Sequence, residues 1–397
     1  MADAHAIAST PHQEAGASDW LEQTGQFLLV GVAVALQFSI AVAQSLLALA
    51  VLCWLTLVLV RRERVQVPRF FWFLAAYGAA TLVSAAFSPE PATSFIDCKQ
   101  LVLFVLVPLT YRLLSGDRGT SLITLVVSAG AASAAIGIFQ YGVLHYDLQF
   151  RPRGTLGHYM TFSGLLMLVI GIALARILFG KRDRLWAALV MPALAFAVAL
   201  TFTRSAAVGA CVATAMLLAL KDLRLLAILP IFGALLFAAA PAQVAKRFST
   251  FSLTDLSVRD RGAMLREGEK MIRAHPLVGV GPNMVEELYA QYRDPDAVNI
   301  VNPHLHNVPL QIAAERGLPA LAIWLAFIVV LLKDLTRIFA SGRNRVLAAG
   351  ALAAVVSMLA AGLFEYNFGD SEFLMLFLIL VTLPFAAERP VPGAADR

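Results

Sequence analysis

Long apolar runs separated by short polar connections fill most of the chain between residues 26 and 387. A membrane-spanning helix needs about 20 mostly apolar residues. On that scale the runs predict roughly twelve spans, near 26–42, 44–60, 70–87, 99–114, 119–143, 159–179, 185–202, 205–220, 223–240, 319–338, 346–363 and 371–387. The first pair is ambiguous. Between Phe27 and Val60 only Gln37, Ser39, Gln44 and Ser45 interrupt the run. It reads as a hairpin, or as one long tilted helix that would leave eleven spans. The expected class is therefore an all-α, polytopic transmembrane helical bundle. Residues 1–25 form a polar tail without a basic leader region, 26–240 the first nine spans, 241–318 one long polar loop, 319–387 the last three spans and 388–397 a second tail.

The long loop carries its own helical patterns. Ser257 is placed to cap a helix that runs to about Ala274. Met264, Leu265, Gly268, Met271 and Ile272 form one apolar stripe, with Arg259, Arg266, Glu267, Lys270 and Arg273 on the other face. Arg261 falls on the border, and the whole reads as an amphipathic helix lying at the membrane surface. Pro276 stops it. Val278 to Asn283 then forms a tight turn that lacks the Gly-Lys-Ser/Thr of a phosphate-cradling loop. Further on, Asn307 is a good N-cap and Pro309 is tolerated in a first turn. A short helix over 308–316 sets Asn307, Gln311 and Glu315 on one face. Gly317 ends it and Pro319 opens the next span.

Composition and charge add direction. Hydrophobic residues make up 59% of the chain and charged ones 14%, against about a quarter charged in soluble domains, so a soluble enzyme is excluded. Arg61-Arg62-Glu63-Arg64, Arg112 with Arg118, Lys181 to Arg184, Lys221 with Arg224, and Lys333 to Arg345 fall on alternate connections. The positive-inside bias puts all of them, and both termini, in the cytoplasm. Opposite them, in a Gram-negative periplasm, lie 88–96, 145–158, the Thr203-Arg204 turn, the long loop and 365–372. Arg151, Arg153 and Arg204 then sit in short external connections that disfavour arginine, and Arg247, Arg259, Arg261, Arg266 and Arg273 sit in the long loop. One external arginine is ordinarily a solvated side chain. A set of them suits a phosphate-bearing ligand, whose oxygens the planar guanidinium binds bidentately.

The segment from Pro303 to Gln311, followed by Glu315-Arg316-Gly317, puts histidine, amide, carboxylate and arginine side by side in an otherwise apolar chain. Such concentrations in membrane proteins mark binding or chemistry. His306 lies just ahead of a helix N-terminus, where the dipole favours neutral imidazole, the form a general base needs. His306 held only by loop backbone is the structural alternative, and His304, two residues away, can fill the base role instead. Cys53, Cys98 and Cys211 fall in or beside apolar segments, so no structural disulfide is expected. No Cys-x-x-Cys or His-Glu-x-x-His pattern argues for a bound metal. Asp294 and Asp296, the nearest approach to an external acidic motif, flank Pro295 in a turn. No cofactor is called for.

These residues resemble a known family. Arg261-x3-Leu265-x2-Gly268-x2-Met271-Ile272-x2-His275-Pro276-Leu277-x-Gly279-Val280-Gly281, followed by His306-Asn307-x2-Leu310-Gln311-x3-Glu315-x-Gly317, is similar to the O-antigen ligase and polymerase superfamily, which includes the pilin-glycosylating oligosaccharyltransferases. Arg153-Gly154-Thr155-Leu156-Gly157-His158 and Thr203-Arg204-Ser205 agree with two further family stretches, so the likeness covers roughly 150–335. Leu265 stands where the family often has Trp, Pro309 lies near a common Tyr, and Gly317-Leu318-Pro319-Ala320 replaces Gly-Leu-Leu-Gly. These departures touch packing more than polar positions. The resemblance implies a glycan donor carried on undecaprenyl pyrophosphate and an acceptor on the external leaflet of the inner membrane. No large external mass follows the last span, as protein-glycosylating members commonly carry, and there is a single sizeable external loop. Both point toward the ligase, which joins O-antigen to lipid A–core in lipopolysaccharide maturation, with the polymerase, which extends one lipid-linked glycan with another, as the alternative. In that scheme His306 is the base, and Arg204 and Arg261 hold the pyrophosphate. Arg151 and Arg153 contact donor or acceptor phosphates. Asn307, Gln311, Glu315, His304 and Arg266 orient or bind substrate, and no metal is required. A transporter of a lipid-linked or anionic solute is the rival class, but transporters place polar breaks near the midplane in repeated halves, and no repeat is evident here.

Overall fold

The computed structural model describes residues 11–239, 241–249 and 256–389, and these are all helix, turn and loop. In lipid every backbone polar group must be satisfied within its own segment, which leaves helices as the only solution for apolar runs of this kind. In chain order the elements are α1 (Pro11–Ala35), α2 (Ile40–Arg61), α3 (Phe70–Ala86), α4 (Pro91–Asp97), a 3₁₀ stretch (Cys98–Val105), α5 (Leu106–Leu113), α6 (Arg118–Gly142), α7 (Tyr159–Phe179), α8 (Arg184–Leu200) and α9 (Arg204–Lys221). A second 3₁₀ stretch (Leu223–Ala227), α10 (Ile228–Ala239), α11 (Ala242–Ser249), α12 (Leu256–Ala274), α13 (Met284–Glu287), α14 (Tyr289–Tyr292), α15 (Val308–Ala340), α16 (Arg345–Gly362) and α17 (Ser371–Ala387) follow. Among the described residues, seven helical runs are long and apolar enough to cross a membrane, and four further apolar helices are shorter.

Each expected apolar segment falls on a helix, with one difference. The 27–60 run is the hairpin and not the single long helix: Ser39 breaks it, and its hydroxyl accepts the Val42 N–H at 3.4 Å to cap α2. The difference is that the first helix starts earlier than the sequence pattern indicates, at Pro11. That extension carries Glu22 into ion pairs with Arg61 at 2.6 Å and Arg112 at 3.2 Å. These partners, not helical propensity, draw the polar run into the fold.

Two ends of the bundle differ in chemistry. At one, Arg112 also grips Glu63 at 2.6 Å, Arg176 pairs with Asp183 at 3.1 Å, and Lys221 and Arg345 both lie over the Phe179 ring. The basic connections thus gather together. The core between the ends is built on α7, α16 and α17, whose Leu166, Val169, Val355, Met358, Phe377 and Leu380 are fully buried. Leu52, Leu59, Trp72, Val102 and Val329 point outward, as expected of side chains that meet lipid. At the opposite end sit the connection after α3, the segment around His158, the start of α9, the loop helices and residues 363–370.

The long loop is docked onto this second end. Met264 and Met271 of α12 pack with Val280, Met284, Val285, Leu305 and Ala314 in a small separate core. The apolar face of α12 is therefore covered by protein. The stripe is also rotated: Leu265 is 51% exposed while Glu267 is fully buried. Glu267 accepts the Asp294 N–H at 2.8 Å; burial pushes its carboxyl up from the usual range. Ser257 lies inside the first turn of α12 and not at its cap position; its side chain and that of Arg247 fall outside those described.

Gly317 breaks α15 as expected, with φ 81° and ψ 167° between two helical pieces. The carbonyls freed by the break find new donors in the Gly-Val-Gly turn. Val280 N–H bonds Ala314 O at 2.9 Å, Gly281 N–H bonds Glu315 O at 2.8 Å, and the Ser84 hydroxyl adds a third bond to Glu315 O at 2.7 Å. In return Leu318 N–H bonds Pro276 O at 2.9 Å. The approach is so close that a Cβ on Gly279 would lie 2.2 Å from the Glu315 carbonyl, and one on Gly317 2.2 Å from Leu277 O. Both glycines are fixed by backbone-to-backbone packing, and the turn locks the helix that carries the site.

Candidate active site

The sequence of the loop ahead of α15 dictates its geometry. Asn307 caps the helix, accepting Leu310 N–H at 2.9 Å, and its amide donates to Leu363 O at 3.1 Å. Buried Gln311 accepts the Leu305 N–H at 2.6 Å. Leu305 is thereby driven into the small core beside Met264 and Met271. His304 and His306, on either side of it, turn the other way, with ring centroids 4.2 Å apart. His306 sits at φ +47°, a strained backbone for a residue with a Cβ and one that the cap and the Gln311 bond together impose.

Both imidazoles meet Glu365, which follows α16. His304 Nε2 lies 3.1 Å from Oε1, and His306 Nδ1 lies 3.1 Å from each carboxylate oxygen. Tyr366 N–H adds a further bond at 3.1 Å. Burial alone would raise the Glu365 carboxyl, but the hydrogen bonds and charge of the two histidines outweigh it and hold the group well below the usual carboxylate range. An ionised carboxylate only accepts hydrogen bonds. Nδ1 of His306 therefore carries a proton, and the neutral form of the ring has its lone pair on Nε2. A histidine held in one tautomer by a carboxylate is the recurring arrangement of a general base. The same three side chains place ligand atoms within 4.8 Å of one another, so they also form a set that could hold a cation.

The arginines divide into groups. Arg204 opens α9 at the end of the bundle where α16 runs out toward Glu365; the far ends of the same two helices share the Phe179 ring. Arg261 is one turn ahead of Met264 on α12, the helix that packs on the histidine loop, and its Nε is buried without a hydrogen-bond partner. Arg266 is instead engaged in a fork with Asp294, both bonds 2.9 Å, and reaches Asp296 at 3.1 Å. Asp294 and Asp296 are thus committed to cations on α12: Arg259 approaches Asp296 at 3.4 Å and Lys270 approaches Asp294 at 3.7 Å. Arg273 pairs with Glu269 at 2.6 Å.

Arg151 lies over the Tyr159 ring at 4.4 Å. Arg153 donates to Gly157 O at 3.3 Å, while its backbone and that of Gly154 are clamped by Gln140. The Arg-Gly-Thr stretch is thus first a structural turn, pinned also by the Thr155 hydroxyl on Phe38 O at 2.7 Å. Glu315 is buried and accepts from Arg316 Nη1 at 2.6 Å. Arg316 itself is buried beside Asp97.

The stretch that carries this geometry also matches a known protein family. Residues 187–325 fit the family described as O-antigen ligase. This match supports the O-antigen ligase and polymerase superfamily. No curated protein matches it. The O-antigen ligase segment includes Arg204, Arg261, His304, His306, Asn307, Gln311 and Glu315, but it ends before Glu365. The carboxylate that orients both histidines therefore comes from outside the matched segment, and motif reading did not select it. The available signal was physical: Glu365, Asp370 and Glu372 cluster in and just after one short connection between two apolar helices, and such concentrations of ionisable side chains in membrane proteins mark binding or chemistry.

Proposed function

We propose that this protein is an inverting glycosyltransferase of the O-antigen ligase type. It moves a glycan from undecaprenyl pyrophosphate to lipid A–core on the periplasmic face of the inner membrane. The observation that carries this reading is the Glu365–His306 pair, which presents Nε2 as a base beside the helix bearing Arg261. The acceptor hydroxyl gives its proton to Nε2 while its oxygen bonds to the anomeric carbon. The bond from that carbon to the pyrophosphate oxygen breaks, and undecaprenyl pyrophosphate leaves with the electron pair. Arg204 and Arg261 hold the pyrophosphate and offset the charge that grows there; preorganised electrostatics of this kind can outweigh the base itself. Arg151 and Arg153 lie at the same end as further phosphate contacts. His304 shares the Glu365 carboxylate and tunes it, and Asn307 and Gln311 hold the loop.

Twelve spans, with the basic end in the cytoplasm together with both termini and the 241–318 loop in the periplasm, agree with this scheme. The two-ended charge pattern supports that orientation through the positive-inside bias.

Two results test the reading. Purified protein offered a lipid-linked glycan with both lipid A–core and a second lipid-linked glycan should join the donor to lipid A–core. Extension of the lipid-linked glycan alone would make it a polymerase, and no covalent product with a folded protein would end the enzyme reading. The same assay should keep its rate in EDTA, because arginines supply the charge that a metal supplies elsewhere. Loss of activity restored by Mg²⁺ or Zn²⁺ would instead make His304, His306 and Glu365 cation ligands.

A further inference from the structure

A cavity of about 240 Å³ opens beside the histidine pair. Its polar lining is His158, Thr161, His304, Glu365, Asn367 and Asp370, and Met160 and Phe373 close it with apolar surface. It is smaller than the roughly 300–1,000 Å³ of pockets that take drug-sized ligands, so it suits a single sugar ring and not a chain of them. Gly164 keeps it open: a Cβ there would already lie 3.1 Å from the Phe373 ring.

The charge of this lining is one-sided. Glu365 and Asp370 both face it, and among the described residues no lysine or arginine lines it. Arg151 is nearby in sequence to His158 but is held over Tyr159. His158 accepts the Met160 N–H through Nδ1 at 3.3 Å, which is the neutral ring. Asp370 spends one oxygen capping α17, accepting Phe373 N–H at 2.9 Å, and the other on the Thr161 hydroxyl. Carboxylates, a hydroxyl, an amide and imidazole nitrogens exchange hydrogen bonds with sugar hydroxyls. The carboxylates repel phosphate.

We propose that this cavity is the subsite for the acceptor sugar, that it takes a ring with free hydroxyls and no phosphate, that Asp370 sets that preference, and that Thr161 helps to hold the ring whatever it carries. The proposal rests on the transferase reading above and goes further by stating the chemistry of the acceptor ring. Phosphates elsewhere on the acceptor are left to the arginines. The ring enters beside His304 and Glu365, and its nucleophilic hydroxyl is delivered toward His306.

The test uses the full chain in lipid nanodiscs with an undecaprenyl-pyrophosphate-linked glycan. Two lipid-anchored acceptors are compared, one ending in a hexose with free hydroxyls and one with a phosphate monoester on that same ring, away from the attacked hydroxyl. The phosphorylated acceptor should show kcat/KM lower by at least roughly tenfold, since like charges brought together across an interface are strongly disfavoured. Asp370→Asn keeps the cap oxygen and removes the charge, so it should narrow that gap severalfold while leaving the donor KM unchanged. Thr161→Val should raise KM for both acceptors and leave the gap in place. Equal use of the two acceptors by the native protein, or an unchanged gap in Asp370→Asn, would overturn the proposal. Transfer to neither acceptor would overturn the transferase reading itself, a result distinguishable from both.

Discussion

Replacing His306 with alanine should lower glycan transfer by roughly 10²–10⁴-fold, the range that general-base assistance supplies, while the protein stays folded and still binds its donor. The expectation comes from hydrogen-bond direction. Glu365 accepts from Nδ1 of His306 at 3.1 Å, so the alanine variant loses the only nitrogen of that residue positioned to take a proton. His304→Ala should do less damage, because it removes a second donor to Glu365 and leaves the base in place. The measurement is initial rate at saturating donor, with donor affinity and monodispersity in detergent as controls. Near-normal transfer by His306→Ala, with loss in His304→Ala, would move the base role to His304.

The second large effect concerns the fold beneath the site. Gly317→Ala should destabilise the protein by roughly 3–5 kcal/mol, combining a backbone conformation open almost solely to glycine with a direct clash. The clash is specific: the new Cβ would sit 2.2 Å from Leu277 O at φ +81°. Gly342 provides the comparison. Its φ is +80°, yet a Cβ there meets nothing within 4 Å, so Gly342→Ala carries the conformational penalty alone, about 1–2 kcal/mol. Thermal unfolding of the two variants in detergent should separate clash from strain. Equal melting temperatures would mean that the interlock between the Gly-Val-Gly turn and the kinked helix does not hold the site.

What could be read from the sequence was what local chemistry decides. Asn307 as a cap and Gly317 as a break each follow from one residue's effect on its own neighbours, and each is found; the hairpin suggested by Gln37, Ser39, Gln44 and Ser45 is found as well. The likeness to the O-antigen ligases rested on the same compact stretch. What could not be read depends on distant partners. Glu365 lies 59 residues from His306 along the chain, and no periodicity links two side chains across a helix pair. Leu265 and Glu267 exchanged expected faces because α12 packs on the histidine loop, and a stripe computed for an isolated helix does not know what covers it. Arg266 looked like its neighbours until its fork with Asp294 and Asp296 was seen. A guanidinium already satisfied by two carboxylates differs from one whose Nε is buried and unbonded, as in Arg261, and sequence shows them alike.

Transfer requires one pyrophosphate to be held where His306 can serve the bond that breaks. The most direct test is a cryo-electron microscopy structure of the protein with its undecaprenyl-pyrophosphate-linked donor bound. The pyrophosphate should lie within hydrogen-bond reach of Arg204 and Arg261, with the anomeric carbon facing Nε2 of His306. A donor phosphate seated at the opposite end, among Arg61, Arg112 and their carboxylate partners, would contradict it.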